Sequence, residues 1–166
     1  MSGKNHLPKI GVGPIIVIPQ LLLTITGIIL SRKNIIVDWH IEILKIPFIV
    51  LGVLLIVYGL LLWYAANFKT KIDKYIENNK LATKGVYSLV RNPIYSAFFI
   101  ICIGAIFIEN NLFLFIIPVI CWLYMTIILK NTEEKWLYEL YGYQYKVYCK
   151  KVNRCIPIKR KSNIKK

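Results

Sequence analysis

The sequence predicts an all-α fold, a polytopic membrane bundle of four or five transmembrane helices with amphipathic helices on its cytoplasmic side. Three observations carry this. Of the 166 residues 57% are hydrophobic, most of those residues gather into four runs free of charge, and the 22 Lys and Arg residues fall before, between and after the runs. The runs are Pro14 to Leu30, Ile46 to Tyr64, Ile94 to Ile108 and Leu112 to Leu129. At about 1.5 Å per residue they extend about 22 to 29 Å, against a hydrocarbon core of about 30 Å. The third is the shortest and spans only if flanking residues extend it. Helices suit this setting because each satisfies its own backbone polar groups, which lipid cannot do.

The first run follows Lys4 and Lys9, as a signal peptide would. It is longer than an ordinary signal core, however, and ends in Ser31-Arg32-Lys33 with no small-residue cleavage pattern, so it reads as a retained first helix. The second run carries Gly52 and Gly59 two turns apart on one face, a spacing that suits close helix packing. Residues 1–67 thus read as a helical-hairpin scaffold. Asp38, His40 and Glu42 alternate in the loop between these helices, but a single His among scattered acids is a weak metal site. Gly11-Val12-Gly13 lacks the strand and third glycine of a nucleotide loop and reads as a flexible lead into the first helix.

From Phe68 to Lys80 the apolar residues Phe68, Ile72, Tyr75 and Ile76 recur at helical spacing with Lys69, Lys71 and Lys74 between them. That pattern predicts an amphipathic helix on the inner leaflet. A turn-rich stretch then leads to Arg91-Asn92-Pro93, with Pro93 placed for the first turn of the third helix. Glu109-Asn110-Asn111 makes a tight connection to the fourth. A second amphipathic helix is expected from Asn131, with Trp136, Leu137, Leu140 and Tyr141 on its apolar face and a stop at Gly142. Tyr138, Tyr141, Tyr143, Tyr145 and Tyr148 suit an interfacial aromatic belt. Residues 159–166 form a basic tail attracted to anionic lipid. No separate soluble domain is indicated, so 1–166 reads as one membrane domain with chemistry concentrated in 68–158.

The net charge of +14 raises the question of nucleic acid, but the basic residues form no folded reading surface. Their distribution sets topology instead. Lys4 and Lys9, the 67–93 loop and the tail from Lys130 share one side, whereas Arg32, Lys33 and the edge residue Lys45 lie on the other. By the positive-inside rule both termini are cytoplasmic. The heavy use of Ile, Lys and Asn points to an AT-rich bacterial genome and hence a bacterial cell membrane. Cys102, Cys121, Cys149 and Cys155 have no metal-type spacing and read as structural or incidental.

Three stretches have a more specific pattern. Thr83-Lys84-Gly85-Val86-Tyr87-Ser88-Leu89-Val90-Arg91-Asn92-Pro93-Ile94-Tyr95 resembles the T-x-G-x-Y-x-x-x-R-H-P-x-Y signature of the isoprenylcysteine carboxyl methyltransferase and phospholipid methyltransferase superfamily. Glu133-Glu134-x-x-Leu137-x-x-x-x-Gly142-x-x-Tyr145-x-x-Tyr148 resembles its second motif, and Val152-Asn153-Arg154-Cys155-Ile156-Pro157 its closing V-x-R-x-I-P. The resemblance covers residues 67 to 158. It implies a methyltransferase whose cytoplasmic end folds over S-adenosyl-L-methionine while a lateral opening admits a lipophilic acceptor. Carried over by position, it implies a cofactor pocket of Lys80, Leu81, Ala82, Tyr87, Asn92, Pro93, Ile94, Tyr95, Glu133 and Glu134.

Asn92 stands where the family usually has His, which retains hydrogen bonding but removes titration near neutral pH. Physically, Glu133 suits a cationic amino group or ribose hydroxyls, Tyr87 and Tyr95 suit adenine or a sulfonium, and Arg91 suits an acceptor carboxylate or a lipid phosphate. As local structure alone, Glu133-Glu134 is also an ordinary helix start, and Arg91-Asn92-Pro93 an ordinary helix entry. The accepting atom stays open among carboxylate, amine and thiol. N-methylation of an aminophospholipid is the main alternative within the enzyme class, and a non-catalytic membrane module the alternative outside it.

Overall fold

The structure, a computed structural model, describes residues 11–70, 75 and 78–158. Five α-helices dominate: α1 Gly13–Arg32, α2 Lys45–Tyr64, α3 Pro93–Glu109, α4 Ile116–Asn131 and α5 Glu133–Lys151. Apart from two isolated bridges, no strand occurs among the described residues. Residues 71–74 and 76–77 of the expected amphipathic helix over Phe68–Lys80 lie outside the described residues. Lys4, His6, Lys9 and the basic tail 159–166 lie outside them too.

Three helical stretches, Gly13–Arg32, Glu42–Lys69 and Leu112–Asn131, are long and apolar enough to cross a membrane. The protein is thus an integral membrane protein. Helix α3 has 17 residues, short of a full crossing on its own, as the brevity of its apolar run anticipated. It begins at Pro93, whose missing N–H costs nothing in a first turn, and ends at Asn110, which takes the left-handed conformation at φ 58°.

Helix α1 contains Pro19. Proline has no N–H to give the carbonyl of Ile15 one turn earlier, and the hydroxyl of Tyr124 on α4 donates to that oxygen at 2.8 Å. Helices α2 and α3 meet along small residues. A Cβ built on Gly52 would lie 2.6 Å from the Gly104 carbonyl oxygen, one on Gly104 would lie 2.6 Å from that of Gly52, and one on Gly59 would lie 2.8 Å from that of Ala97. The seam anticipated from Gly52 and Gly59 is therefore real, with van der Waals contact between backbones as its source of cohesion. Helix α1 closes the other side of the bundle, where Ile16, Phe99, Ile106, Leu114, Ile117, Met125 and Leu129 form the main core. Outward-facing residues such as Leu22, Leu54, Leu61, Ile120 and Ile127 are exposed, as a lipid-facing surface requires.

One end of the bundle is tied by polar contacts between the first loop and the α3–α4 connection. Asn111 donates from Nδ2 to Ser31 Oγ at 3.0 Å and to the Val37 carbonyl at 3.2 Å, Asn110 donates to the Ile41 carbonyl at 3.0 Å, and Arg32 pairs with Glu109 at 2.9 Å.

At the opposite end, α5 leaves the bundle one residue after α4. Gly142, expected to stop this helix, instead bends it: its φ of 48° and ψ of −120° interrupt the spiral, which resumes and runs to Lys151. A glycine readily takes that conformation, and the resumed segment carries Tyr145 and Tyr148 inward.

Candidate functional site

The three motif segments, far apart in sequence, converge at the α5 end of the bundle. The chain after α5 turns back so that Asn153 bridges to Val90 in parallel fashion. The Arg91 N–H donates to the Asn153 carbonyl at 2.9 Å, and the Asn92 N–H donates to the Arg154 carbonyl at 3.3 Å. The Asn92 side chain adds a second donation to the same Arg154 oxygen at 3.0 Å. At the start of α3 the Asn92 carbonyl accepts from the Ser96 hydroxyl at 2.8 Å. Asn92 therefore docks the C-terminal segment onto the start of α3, a task that needs a donor and no titrating ring.

Glu134 joins the two arginines of this junction. It accepts from Arg91 Nη2 at 2.9 Å and from Arg154 Nε and Nη2 at 2.7 and 2.8 Å. The latter is the two-pronged pairing that guanidinium geometry favours. The Arg91 and Glu134 side chains are only 8% and 12% exposed, so the pair is held largely out of water. Hydrogen bonding to Glu134 keeps Arg154 protonated above its ordinary range. Arg91 also donates to the Tyr145 hydroxyl at 3.4 Å, contacts the Cys149 thiol and lies 5.9 Å from the Tyr145 ring centre.

Beneath the arginines lies a cluster of Tyr145, Tyr148 and Val152, with Leu81, Leu137 and Tyr141 against it. The Tyr148 hydroxyl donates to the Tyr87 carbonyl, and burial raises the pKa of both Tyr145 and Tyr148. The expectation of an interfacial belt is corrected here: Tyr138 and Tyr143 are exposed, whereas Tyr145 and Tyr148 are buried. Tyr145 and Tyr148 lie past the bend at Gly142, and Tyr141 ahead of it packs on the same cluster.

Glu133 faces elsewhere. Consecutive helical residues point about 100° apart, so while Glu134 meets the arginines, Glu133 meets α3 and the start of α1. Its Oε1 accepts from the Tyr95 hydroxyl at 2.5 Å and from the Val12 N–H at 3.2 Å. Burial pushes the Glu133 carboxyl above its ordinary range, and these two hydrogen bonds pull it partly back.

Of the residues singled out from sequence, the structure brings Arg91, Asn92 and Glu134 into one network, with Leu81 and Tyr87 on the tyrosine cluster beside it. Tyr95 and Glu133 form the adjoining pair. Ala82 and Pro93 are buried and Ile94 is half-buried. Lys80 is exposed and contributes a backbone donation to Tyr75 at 2.8 Å. Sequence reasoning missed Gly11 and Val12, and it left Arg154 out of the site. Arg154 stood inside a quoted motif and could have been found there, whereas Val12 acts through its main chain and carries no side-chain signal.

At the far end of the bundle, Asp38 accepts from His40, and Glu42 lies 3.9 Å from Lys45. No cluster of three His, Cys, Asp or Glu residues that would hold a metal occurs among the described residues.

The three motif segments thus meet at one end of a helical membrane bundle, with Glu133 and Glu134 turned to different partners. The phospholipid methyltransferase family model matches residues 43–144, more than half of the chain. The chain belongs to the phospholipid methyltransferase family. Comparison with curated proteins and with solved structures finds no match. The matched span contains α2, α3, α4, Arg91 to Tyr95 and both glutamates, and it leaves α1 and Arg154 outside.

Proposed function

We propose that the protein uses S-adenosyl-L-methionine to methylate a lipophilic or lipid-linked acceptor at the cytoplasmic membrane face. The observation that carries this is Glu133, a carboxylate partly withdrawn from water yet fixed by Tyr95 and Val12. Such a group fits the cofactor's cationic amino group or its ribose hydroxyls, since charge-assisted bonds strengthen where solvent is thin. The bound cofactor supplies an electrophilic methyl group on a sulfonium.

The protein's part is to bind, orient and exclude water, because this transfer gains from in-line placement in a dry site. Glu133 anchors the cationic end. Tyr87 and Tyr95 offer aromatic faces, and Leu81, Ala82, Pro93 and Ile94 wall the pocket, with Lys80 at its rim and Asn92 fixing the wall to the C-terminal segment. Two guanidiniums against one carboxylate leave Arg91 and Arg154 with an excess positive charge. Arg91 Nε is buried and without a partner among the described residues. That excess suits an acceptor carrying a carboxylate or a phosphate, with Arg91 the residue that meets it.

Two acceptor chemistries satisfy this reading. One is O-methylation of a lipophilic carboxylate, as the motif resemblance implies. The other is N-methylation of an aminophospholipid, which the family match and the positive excess near the membrane edge both favour. In either case α3 crosses with its flanks, both termini lie in the cytoplasm, and residues 68–158 form the catalytic half on a scaffold of residues 1–67.

Methyl-labelled cofactor incubated with purified protein and a panel of lipophilic acids and aminophospholipids tests the proposal. Label should enter one class and be lost in Glu133→Ala. Absence of transfer to every acceptor, together with absence of cofactor binding, would favour a non-catalytic membrane module.

A further inference from the structure

The start of α1 lies outside both the family match and the motif segments, yet it touches Glu133. Gly11 has a φ of +54°, and a Cβ built on it would lie 2.5 Å from Glu133 Oε1 and 3.5 Å from the Tyr95 hydroxyl. The next residue, Val12, is buried and points its N–H at the same carboxylate oxygen at 3.2 Å. Its carbonyl meanwhile accepts from Ile16 at 3.1 Å, within α1. The local backbone therefore serves two masters: it begins the helix and presses its main chain against an acid 121 residues away.

This contact needs glycine at 11 for two separate reasons. Residues with a side chain rarely take that φ, and the space that a side chain would fill is already held by the carboxylate. Gly13, two residues on, differs on both counts. Its φ is not in the left-handed region, and its Cβ would meet Tyr95 at an ordinary 3.6 Å.

We propose that Gly11 and Val12 are positioning residues for Glu133: with the Tyr95 hydroxyl they fix one carboxylate oxygen, leaving the other to face a cationic ligand. The inference rests on the reading of Glu133 as a cofactor-binding carboxylate. It adds that the first helix, beyond being scaffold, completes the site. A ligand anchored on a carboxylate that is already oriented loses less freedom on binding than one that must first order it.

Among the described residues, the groups facing Glu133 are few. Tyr95 approaches from α3 and the Val12 main chain from α1, and Tyr87 in turn lies near Tyr95. On its own helix Glu134 is engaged by Arg91 and Arg154, and Lys130 at the end of α4 is exposed. The carboxyl is raised by burial and lowered by the bonds from Tyr95 and Val12. Removing the Val12 donor therefore raises it further, and binding of a cationic ligand then needs a higher pH.

The test is calorimetric binding of S-adenosylhomocysteine to full-length protein in detergent between pH 5 and 8, for wild type, Gly11→Ala, Val12→Pro, Gly13→Ala and Glu133→Gln. Val12→Pro removes the donor without adding a group at position 11, so the proposal does not depend on one variant. Gly11→Ala and Val12→Pro should each bind about tenfold more weakly at neutral pH, the equivalent of one charge-assisted hydrogen bond, with the acid limb of the binding profile moved to higher pH. Gly13→Ala should stay within about twofold of wild type. If Gly11→Ala and Val12→Pro bind as wild type while Glu133→Gln does not, the positioning role is wrong and the cofactor reading of Glu133 stands. If Glu133→Gln also binds as wild type, both fall.

Discussion

Adjacent glutamates at the start of α5 have opposite tasks. Glu134 is the sole carboxylate found between Arg91 and Arg154 among the described residues. Removing one partner of a buried ion pair leaves uncompensated charge, so Glu134→Ala is expected to cost about 3 kcal/mol, read as a fall in thermal midpoint in detergent. On the proposed reading, Glu133 contributes less to stability and more to binding. Its folded pKa is raised above the ordinary carboxylate value, so the folded state keeps this proton to higher pH than the unfolded chain does. The sign follows: stability is undiminished below pH 4.5 and declines as pH rises from there through the folded value. Glu133→Gln should flatten that part of a stability-against-pH curve, and an unchanged curve would show that the carboxyl is not held out of water. Asn92 makes a docking bond rather than a proton transfer; Asn92→Ala should cost about 1 kcal/mol through loss of its donation to Arg154, while Asn92→His keeps a donor and should cost less. The sequence displayed the two acids side by side, but their division of labour depends on α1 and on the returning C-terminal segment, which no local pattern reveals.

At the level of elements, apolar runs marked α1, α2 and α3 to within two residues at each end, because in lipid an uninterrupted apolar run and a helix are nearly the same thing. The fourth run was less exact. Its first residues, Leu112–Phe115, form a 3-10 turn before α4 begins at Ile116, held by the Asn111 side chain accepting from the Phe113 N–H at 3.1 Å. Gly142 was read as a stop because a glycine after an amphipathic stretch commonly ends a helix, yet buried tyrosines beyond it make resumption favourable. The tightest element contact is the α2–α3 seam. Gly104→Val would drive branched carbons into the Gly52 backbone and should destabilise the bundle by about 3 kcal/mol or prevent its folding. Thermal melts of Gly104→Val and Gly104→Ala check this, the smaller residue being expected to cost less.

For the whole molecule, the distribution of Lys and Arg and the polar ties at the ends of the helices describe one arrangement. The loop from Lys33 to Ile41 packs on the α3–α4 connection at one end, while all three motif segments meet at the other. On the proposed topology of four crossings, those two ends face opposite sides of the membrane, with the motif end in the cytoplasm as the positive-inside rule expects. Asn34 and Asn79 are exposed at these two ends. In intact cells an impermeant thiol reagent should modify Asn34→Cys and spare Asn79→Cys; the reverse pattern would invert the topology and move the candidate site away from cytosolic cofactor. The central claim is that the motif end binds S-adenosyl-L-methionine through Glu133. Its most direct test is calorimetric titration of detergent-purified protein with S-adenosyl-L-methionine, with Glu133→Ala beside wild type. Saturable binding by wild type, lost in the variant while its thermal midpoint holds, is the result predicted; equal binding by both, or none by either in lipid-like conditions, would contradict it.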